Sequence, residues 1–274
     1  MTLILNKNVI ILCAGKGTRF GKLTNNIPKP LIQIEKFENK PILFFILNSL
    51  AKSGFKKIWI IKGYLGSQLE TYISSLNYTN MFPELIINTI DSHQDYLLGP
   101  LHSLLSIRNN RELYKQNSLY FVIPGDTIFQ LSLLQRISYF IKNHSEIISK
   151  YPILFYRTLN RQRLTKKGLS THHKSFSILQ TSSSNPNFLE KIEKINHSNL
   201  EPTIKYKQLY PCFLFTYSSL KDLTNIHDLK NIPSITRLLN RYSEQGKKIY
   251  ITTFNKNYDF YDLDYKNDLK YIEL

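Results

Sequence analysis

Short, mainly apolar runs at residues 9–13, 58–61, 85–90 and 119–123 punctuate the first half of the chain. Runs of this length and texture predict strands buried on both faces. Helix-like stretches fall between them, at 41–52, 67–76 and 100–108. Pro41 suits the first turn of its helix and Gly54 the cap at its far end. Strand and helix alternating in this way predict an α/β chain with a parallel sheet and crossover helices. From residue 151 the texture changes. Strands are predicted at 151–157, 176–180, 188–195 and 209–216 with few helices between them, and 157–174, basic and poor in apolar residues, reads as an exposed loop. The tail returns to helix (233–245), strand (248–254) and a final helix around 266–272. There are no internal repeats, and no Gly/Ser/Pro linker separates two independent units.

Composition bounds this picture without changing it. Hydrophobic residues make up 42% of 274, enough for a large core and too many for a disordered chain. No apolar run approaches the length of a membrane span. The N-terminus leads straight into a strand with no signal-like segment, so a cytoplasmic protein is expected. Cys13 and Cys212 both sit in apolar strands and are expected to be buried free thiols. Lys and Arg outnumber Asp and Glu by 36 to 20, a net charge of +16. Such a surface attracts anions. The cations are scattered, however, and no aromatic–basic motif accompanies them, so the expected partners are small phosphorylated molecules and not nucleic acid or membrane.

The chemistry concentrates where the first strand empties into Gly15-Lys16-Gly17-Thr18-Arg19 and then Pro28-Lys29-Pro30-Leu31. Glycines after a strand let backbone N–H groups approach a polyphosphate, and Arg19 and Lys29 add fixed positive charge. The spacing is neither that of a P-loop nor Gly-x-Gly-x-x-Gly, because residue 20 is Phe. A second turn, Pro124-Gly125-Asp126, follows the strand at 119–123. In a parallel sheet both turns would lie at the ligand-binding carboxyl edge.

The string from Leu12 to Ile32 resembles the signature of the NDP-sugar pyrophosphorylases, nucleotidyltransferases that activate sugar 1-phosphates. Cys13 and Lys22 depart from the usual pattern at positions without chemical roles. Asn39-Lys40-Pro41-Ile42, Gln245-Gly246-Lys247-Lys248-Ile249 and Tyr261-Asp262-Leu263-Asp264 extend the resemblance to roughly three quarters of the chain, while 157–187 has no counterpart. The resemblance implies a Rossmann-like, mixed-sheet α/β sandwich of the nucleotide-diphospho-sugar transferase (GT-A-like) type, without a C-terminal repeat domain. It would be one domain over 1–274, with a nucleotide-binding half (1–150) and a β-rich acceptor-binding half (151–274).

The same resemblance assigns roles. Cys13, Ala14, Gly15, Gly17 and Thr18 would cradle the nucleotide, with Gln94 and Gly99 at the base. Arg19 and Lys29 would be catalytic, gripping the triphosphate and the substrate phosphates. Asp126 and Asp262 would hold Mg²⁺, with Asp264 as the alternative to Asp262. Lys194 would hold the acceptor phosphate, Glu193 a sugar hydroxyl, and Tyr210 would line the acceptor pocket where relatives carry Asn. The Glu190-Lys191 dipeptide competes with Glu193-Lys194 for that assignment, and His102 reads more simply as a first-turn helix residue. The implied reaction is Mg²⁺-dependent in-line transfer of a nucleotidyl group from an NTP to a sugar 1-phosphate. Two alternatives stay open: a cytidylyltransferase acting on phosphocholine or another small phosphorylated alcohol, and a non-catalytic regulatory relative. The base and the acceptor are not fixed. A homo-oligomer is allowed, with no interface identified.

Overall fold

The computed structural model describes residues 5–160 and 175–273. In chain order its elements are β1 (Asn6–Leu12), β2 (Gln33–Ile34), β3 (Lys40–Pro41), α1 (Ile42–Lys52), β4 (Lys57–Lys62), α2 (Gly66–Tyr78), β5 (Ile86–Asp91), α3 (Pro100–Leu105) and β6 (Ser118–Pro124). There follow β7 (Thr127–Phe129), α4 (Leu131–Asn143), α5 (Ser145–Lys150), β8 (Ile153–Leu159), β9 (Ser175–Thr181), β10 (Leu189–Asn196) and β11 (Tyr206–Thr216). The chain ends with α6 (Tyr217–Leu223), α7 (Ile235–Glu244), β12 (Tyr250–Thr253), β13 (Phe260–Asp262) and a 3-10 segment at Lys266–Tyr271.

Among the described residues a mixed nine-stranded sheet organises the fold, in the order β10-β9-β11-β6-β1-β4-β5, with β8 joined to β11 and β12. Strands β6, β1, β4 and β5 run parallel and β11 returns antiparallel against β6. Alternate residues of β1 and β6 feed two separate cores. Val9, Ile11 and Phe121 pack on one face, Ile10, Tyr120 and Val122 on the other. That is why these runs are apolar without interruption. Helices α1 and α4 cover the first face, α3 and α7 the second. The chain runs outward from β1 to β4 and β5, then returns to β6 on the opposite side of β1. This makes the β1/β6 boundary a switch point in strand order, where a crevice opens at the carboxyl edge.

Several expectations need correction. The run at 85–90 is not buried on both faces, because β5 is the edge of the sheet and Ile86 lies exposed. Pro41 is extended (φ −74°, ψ 160°), paired with Gln33, and caps α1 without being in its first turn. Arg157 is not in an exposed loop but is a buried residue of β8, and 161–174 lie outside the described residues. The final helix is a 3-10 segment. Cys13 and Cys212 are buried free thiols. Among the described residues no helix is long and apolar enough to cross a membrane.

Strand β11 carries one irregularity that bears on the site. Its pairing with β8 jumps from Leu209↔Tyr156 to Phe213↔Leu154, so Tyr210-Pro211-Cys212 oppose a single residue. Pro211, which has no N–H to give the ladder, belongs at such a bulge.

Candidate active site

The crevice at the switch point is a cleft of about 440 Å³. Its first wall is the loop after β1. Gly17 stands at φ +64°, and a side chain there would press on Lys29 Cβ at 3.0 Å. Only a residue without Cβ gives that turn and that contact together. The Thr24 hydroxyl donates to the carbonyls of Gly17 (3.0 Å) and Gly21 (3.1 Å) and staples the loop into its 3-10 turns. From outside, the Tyr64 hydroxyl and the Gln68 amide at the start of α2 donate to the carbonyls of Asn25 and Asn26.

The second wall follows β6. Leu12 and Pro124 are register partners and Gly125 N–H donates to Leu12 O (2.9 Å), so the two loops leave the sheet side by side. A Cβ on Gly125 would overlap the Cys13 thiol. Burial, then the nearness of Asp126, pushes that thiol far up from its ordinary pKa, and it stays a neutral wall of the cleft. Asp126 presents its carboxylate to Lys29 Nζ at 2.5 Å. Lys29, only 7% exposed, lies over the Phe20 ring, and its ammonium is fixed between ring and carboxylate.

The other carboxylate arrives from the far end of the chain. Strand β13 pairs antiparallel with β7, Asp262 opposite Thr127, and Leu263 N–H donates to Asp126 O (3.1 Å). The buried Thr127 hydroxyl donates to Asp262 Oδ1 (3.2 Å). Asp264 lies beyond the end of β13 and accepts from Arg19 Nη1 at 2.5 Å. The Asp264 carboxylate raises the pKa of Arg19 above its usual value, against a partial opposing effect of burial. Among the described residues no group of three or more His, Cys, Asp and Glu could enclose a metal ion. Two carboxylates, Asp126 in the turn before β7 and Asp262 on β13, are instead a donor set that suits a hard cation completed by phosphate oxygens and water.

Of the residues singled out from the sequence, Cys13, Ala14, Gly15 and Gly17 line the cleft, together with Lys29, Asp126, Lys194 and Asp262. Lys194 stands on β10 opposite Ser177 of β9, and both face the cleft. The rest lie elsewhere. Thr18 opens the 3-10 segment behind the loop, Arg19 sits at the rim on Asp264, and Gln94 is exposed outside the cleft. Gly99 (φ +112°) is pressed against the Pro233 carbonyl, which would overlap any Cβ there, and its lack of a side chain serves contact between segments. Glu193 accepts from Gln180 and Lys191 on the face of β10 opposite to Lys194. Tyr210, 0% exposed, is a core residue. Its hydroxyl donates to Tyr258 O and accepts from Tyr258 N–H, both at 3.1 Å. His102 is buried in α3, its Nε2 without a hydrogen-bond partner among the described residues.

The cleft also contains residues not singled out from the sequence: Tyr96, Ser177, Phe213 and Thr236. Their signal is weak, since each is an ordinary residue of a strand or a helix start. Ser177, a small polar residue between Phe176 and Ile178, is the one whose alternation marks it as facing out of the core.

Comparison with known proteins supplies independent findings. A family model described as nucleotidyl transferase matches residues 8–180. The chain is 32% identical over 132 residues to the bifunctional protein GlmU of Methanococcus vannielii, a stretch covering 48% of this chain and 27% of that protein. It is 41% identical over 63 residues to a probable glucose-1-phosphate cytidylyltransferase of Bacillus subtilis, 23% of this chain and 24% of that one. It is 29% identical over 216 residues to mannose-1-phosphate guanyltransferase beta-A of Xenopus laevis, 74% of this chain and 54% of that one. The match thus spans about a quarter of the GlmU relative and half of the guanyltransferase. In three dimensions the chain resembles UDP-glucose pyrophosphorylase solved with UDP-glucose, with TM-score 0.69, 17% identity and coverage of 97% and 96% of the two chains. At that identity the likeness establishes the fold, a mixed α/β nucleotidyltransferase fold.

Proposed function

The chain belongs to the nucleotidyl transferase family, and on that premise we propose that it transfers a nucleotidyl group from a nucleoside triphosphate to a sugar 1-phosphate, releasing pyrophosphate. The observation that carries this reading is the convergence of a glycine loop, Lys29, Lys194, Asp126 and Asp262 on one cleft. The relatives named for glucose 1-phosphate and mannose 1-phosphate support the acceptor class.

No side-chain nucleophile is needed for such a displacement, so the protein contributes position and charge. The loop at Gly15 and Gly17 receives the triphosphate, and its backbone N–H groups meet phosphate oxygens. Lys194 holds the acceptor phosphate so that one oxygen faces the α-phosphorus from the side opposite the leaving pyrophosphate. Lys29 adds charge at the reacting phosphates by exchanging Asp126 for them. Arg19, whose planar fork suits a polyphosphate, exchanges Asp264 for the leaving group. Asp126 and Asp262 would hold Mg²⁺, which when bound gathers phosphate oxygens and offsets their charge. The Thr127 hydroxyl, donating to Asp262 Oδ1, restrains that carboxylate.

The test is pyrophosphate release in Mg²⁺, across the four nucleoside triphosphates, each paired with hexose 1-phosphates and with phosphocholine. Release confined to hexose 1-phosphates, and lost in Asp126→Ala, is the expected result. Release with phosphocholine alone would replace the acceptor in this reading. No release from a folded protein with any pair would refute the transfer.

A further inference from the structure

Past Asp262 the cleft continues into a side chamber of about 150 Å³. Ser177, Thr236 and Asp262 line both spaces and form the polar side chains of the neck between them. Phe176, Phe213 and Phe260 supply aromatic wall, and Arg157 and Gln208 supply buried polar groups.

These two polar residues are cross-strand partners on β8 and β11, and their geometry is directional. Arg157 is fixed first. Its Nη1 donates to Asp259 (2.9 Å) and to Tyr258 O (3.0 Å), and its guanidinium lies over the Phe260 ring at 4.6 Å. Its Nε then donates to Gln208 Oε1 at 2.8 Å. That bond decides which way round the amide sits: oxygen toward Arg157, NH₂ away from it. Gln208 is 5% exposed, and its NH₂ group meets no acceptor among the described residues. Nor is that nitrogen among the side-chain atoms sealed in the interior. The space it adjoins is the chamber. Water can meet that donor in the open chamber, and a ligand that displaces the water without offering an oxygen leaves the amide buried and unpaired, which is costly.

Resting on the proposed transfer, we propose that Gln208, held by Arg157, recognises an oxygen of the acceptor's organic part and makes this chamber the site of a hydroxylated, sugar-like ring. The aromatic walls take the ring's C–H face and the amide takes one hydroxyl. An acceptor ending in a trimethylammonium group offers no oxygen there and leaves the amide unpaired. Gln208 is thus a specificity residue, and Arg157 a positioning residue that acts through it.

The test is calorimetric binding of hexose 1-phosphates, their monodeoxy and deoxyfluoro analogues and phosphocholine, with Mg²⁺ and non-hydrolysable nucleoside triphosphate analogues present. Wild-type protein is expected to bind at least one hexose 1-phosphate and to lose roughly 10- to 100-fold on removal of one particular hydroxyl. Gln208→Met should weaken the parent by the same factor and bind parent and deoxy compound equally. Gln208→Glu keeps an oxygen for Arg157, and with it the fold. It should reject the deoxyfluoro analogue, whose fluorine only accepts, more strongly than wild type does. Equal weakening of parent and deoxy compound, with discrimination intact, would make the role structural and overturn the proposal. So would binding of phosphocholine alone, or of no compound in the panel. Pyrophosphate release measured in parallel separates the two readings. Gln208-dependent binding without turnover keeps this recognition and removes the transfer, whereas turnover with Gln208-independent binding does the opposite.

Discussion

Tyr210→Phe sets sequence resemblance directly against structure. By resemblance, residue 210 lines the acceptor pocket, and the substitution should raise the acceptor KM. In the fold its hydroxyl bridges β11 to the segment that leads into β13, bonding Tyr258 O and Tyr258 N–H in a site sealed from solvent. The two bonds are not equivalent. Tyr258 O keeps the Arg157 Nη1 donor at 3.0 Å, so there only one bond is lost, worth about 0.5–1.5 kcal/mol. Tyr258 N–H loses the acceptor supplied by the hydroxyl, and burying it unpaired costs about 1–3 kcal/mol. The sum is about 1.5–4.5 kcal/mol. At roughly 2–4 °C per kcal/mol for a chain of this size, Tm should fall by about 3–18 °C. The assay is thermal unfolding of wild type and variant alongside acceptor KM at a temperature where both are folded. Unchanged Tm with a raised acceptor KM would refute the reasoning and return Tyr210 to the pocket.

Other substitutions separate binding from folding at the remaining positions. Arg19→Ala removes an ion pair whose arginine side chain is 62% exposed, so stability should change by less than about 1 kcal/mol. KM for the triphosphate should nevertheless rise about tenfold or more in the steady-state assay. Gly17→Ala forces φ +64° on a residue with a Cβ and crowds Lys29. It should cost about 1–2 kcal/mol in denaturant titration and lower activity further than that loss explains. Asp91→Asn tests a pH dependence. Burial alone would raise the Asp91 pKa, but the bond from Lys62 and the His93 N–H outweigh it and hold the carboxylate below its ordinary range. Its stabilisation is therefore present above the unfolded pKa of about 3.9 and is lost as pH falls through the lower folded value. The variant should be less stable than wild type at pH near 7 by under about 1 kcal/mol, the group being partly exposed, and equal to it in strong acid.

The loop after β1 and the Gly125-Asp126 turn were legible because each is local: a continuously apolar strand followed by residues whose conformation and charge are their own. Topology decided what was not. Ile86, Ile87 and Ile90 look like a buried strand until the sheet puts them at its edge. Helix α4 shows its spacing openly in Leu133, Leu134, Ile137, Phe140 and Ile141, yet it goes unread beside the more distinctive turn before it. Side-chain direction was harder still. Glu193 and Lys194 are neighbours on opposite faces of β10, and only the second reaches the cleft. Along β11 the alternation runs unbroken through the irregularity at 210–212, with Leu209, Phe213 and Phe215 on one face and Tyr210, Cys212 and Leu214 on the other, so Tyr210 falls on the face away from Phe213 and the cleft. The partnership of Arg157 with Gln208 depends on register between strands 51 residues apart.

The pairing of β7 with β13 also sets a timetable. Thr127 and Asp262 meet across 135 residues of chain, so one of the two carboxylates is in place long before the other has been synthesised. Contacts of that separation form late, because the loop they close is entropically expensive until the intervening sheet has condensed. A nascent chain that has emerged only as far as β12 therefore carries the glycine loop, Lys29 and Asp126 without a finished centre. The proposed transfer should switch on in one step, as the last strand docks, and not accumulate gradually during folding.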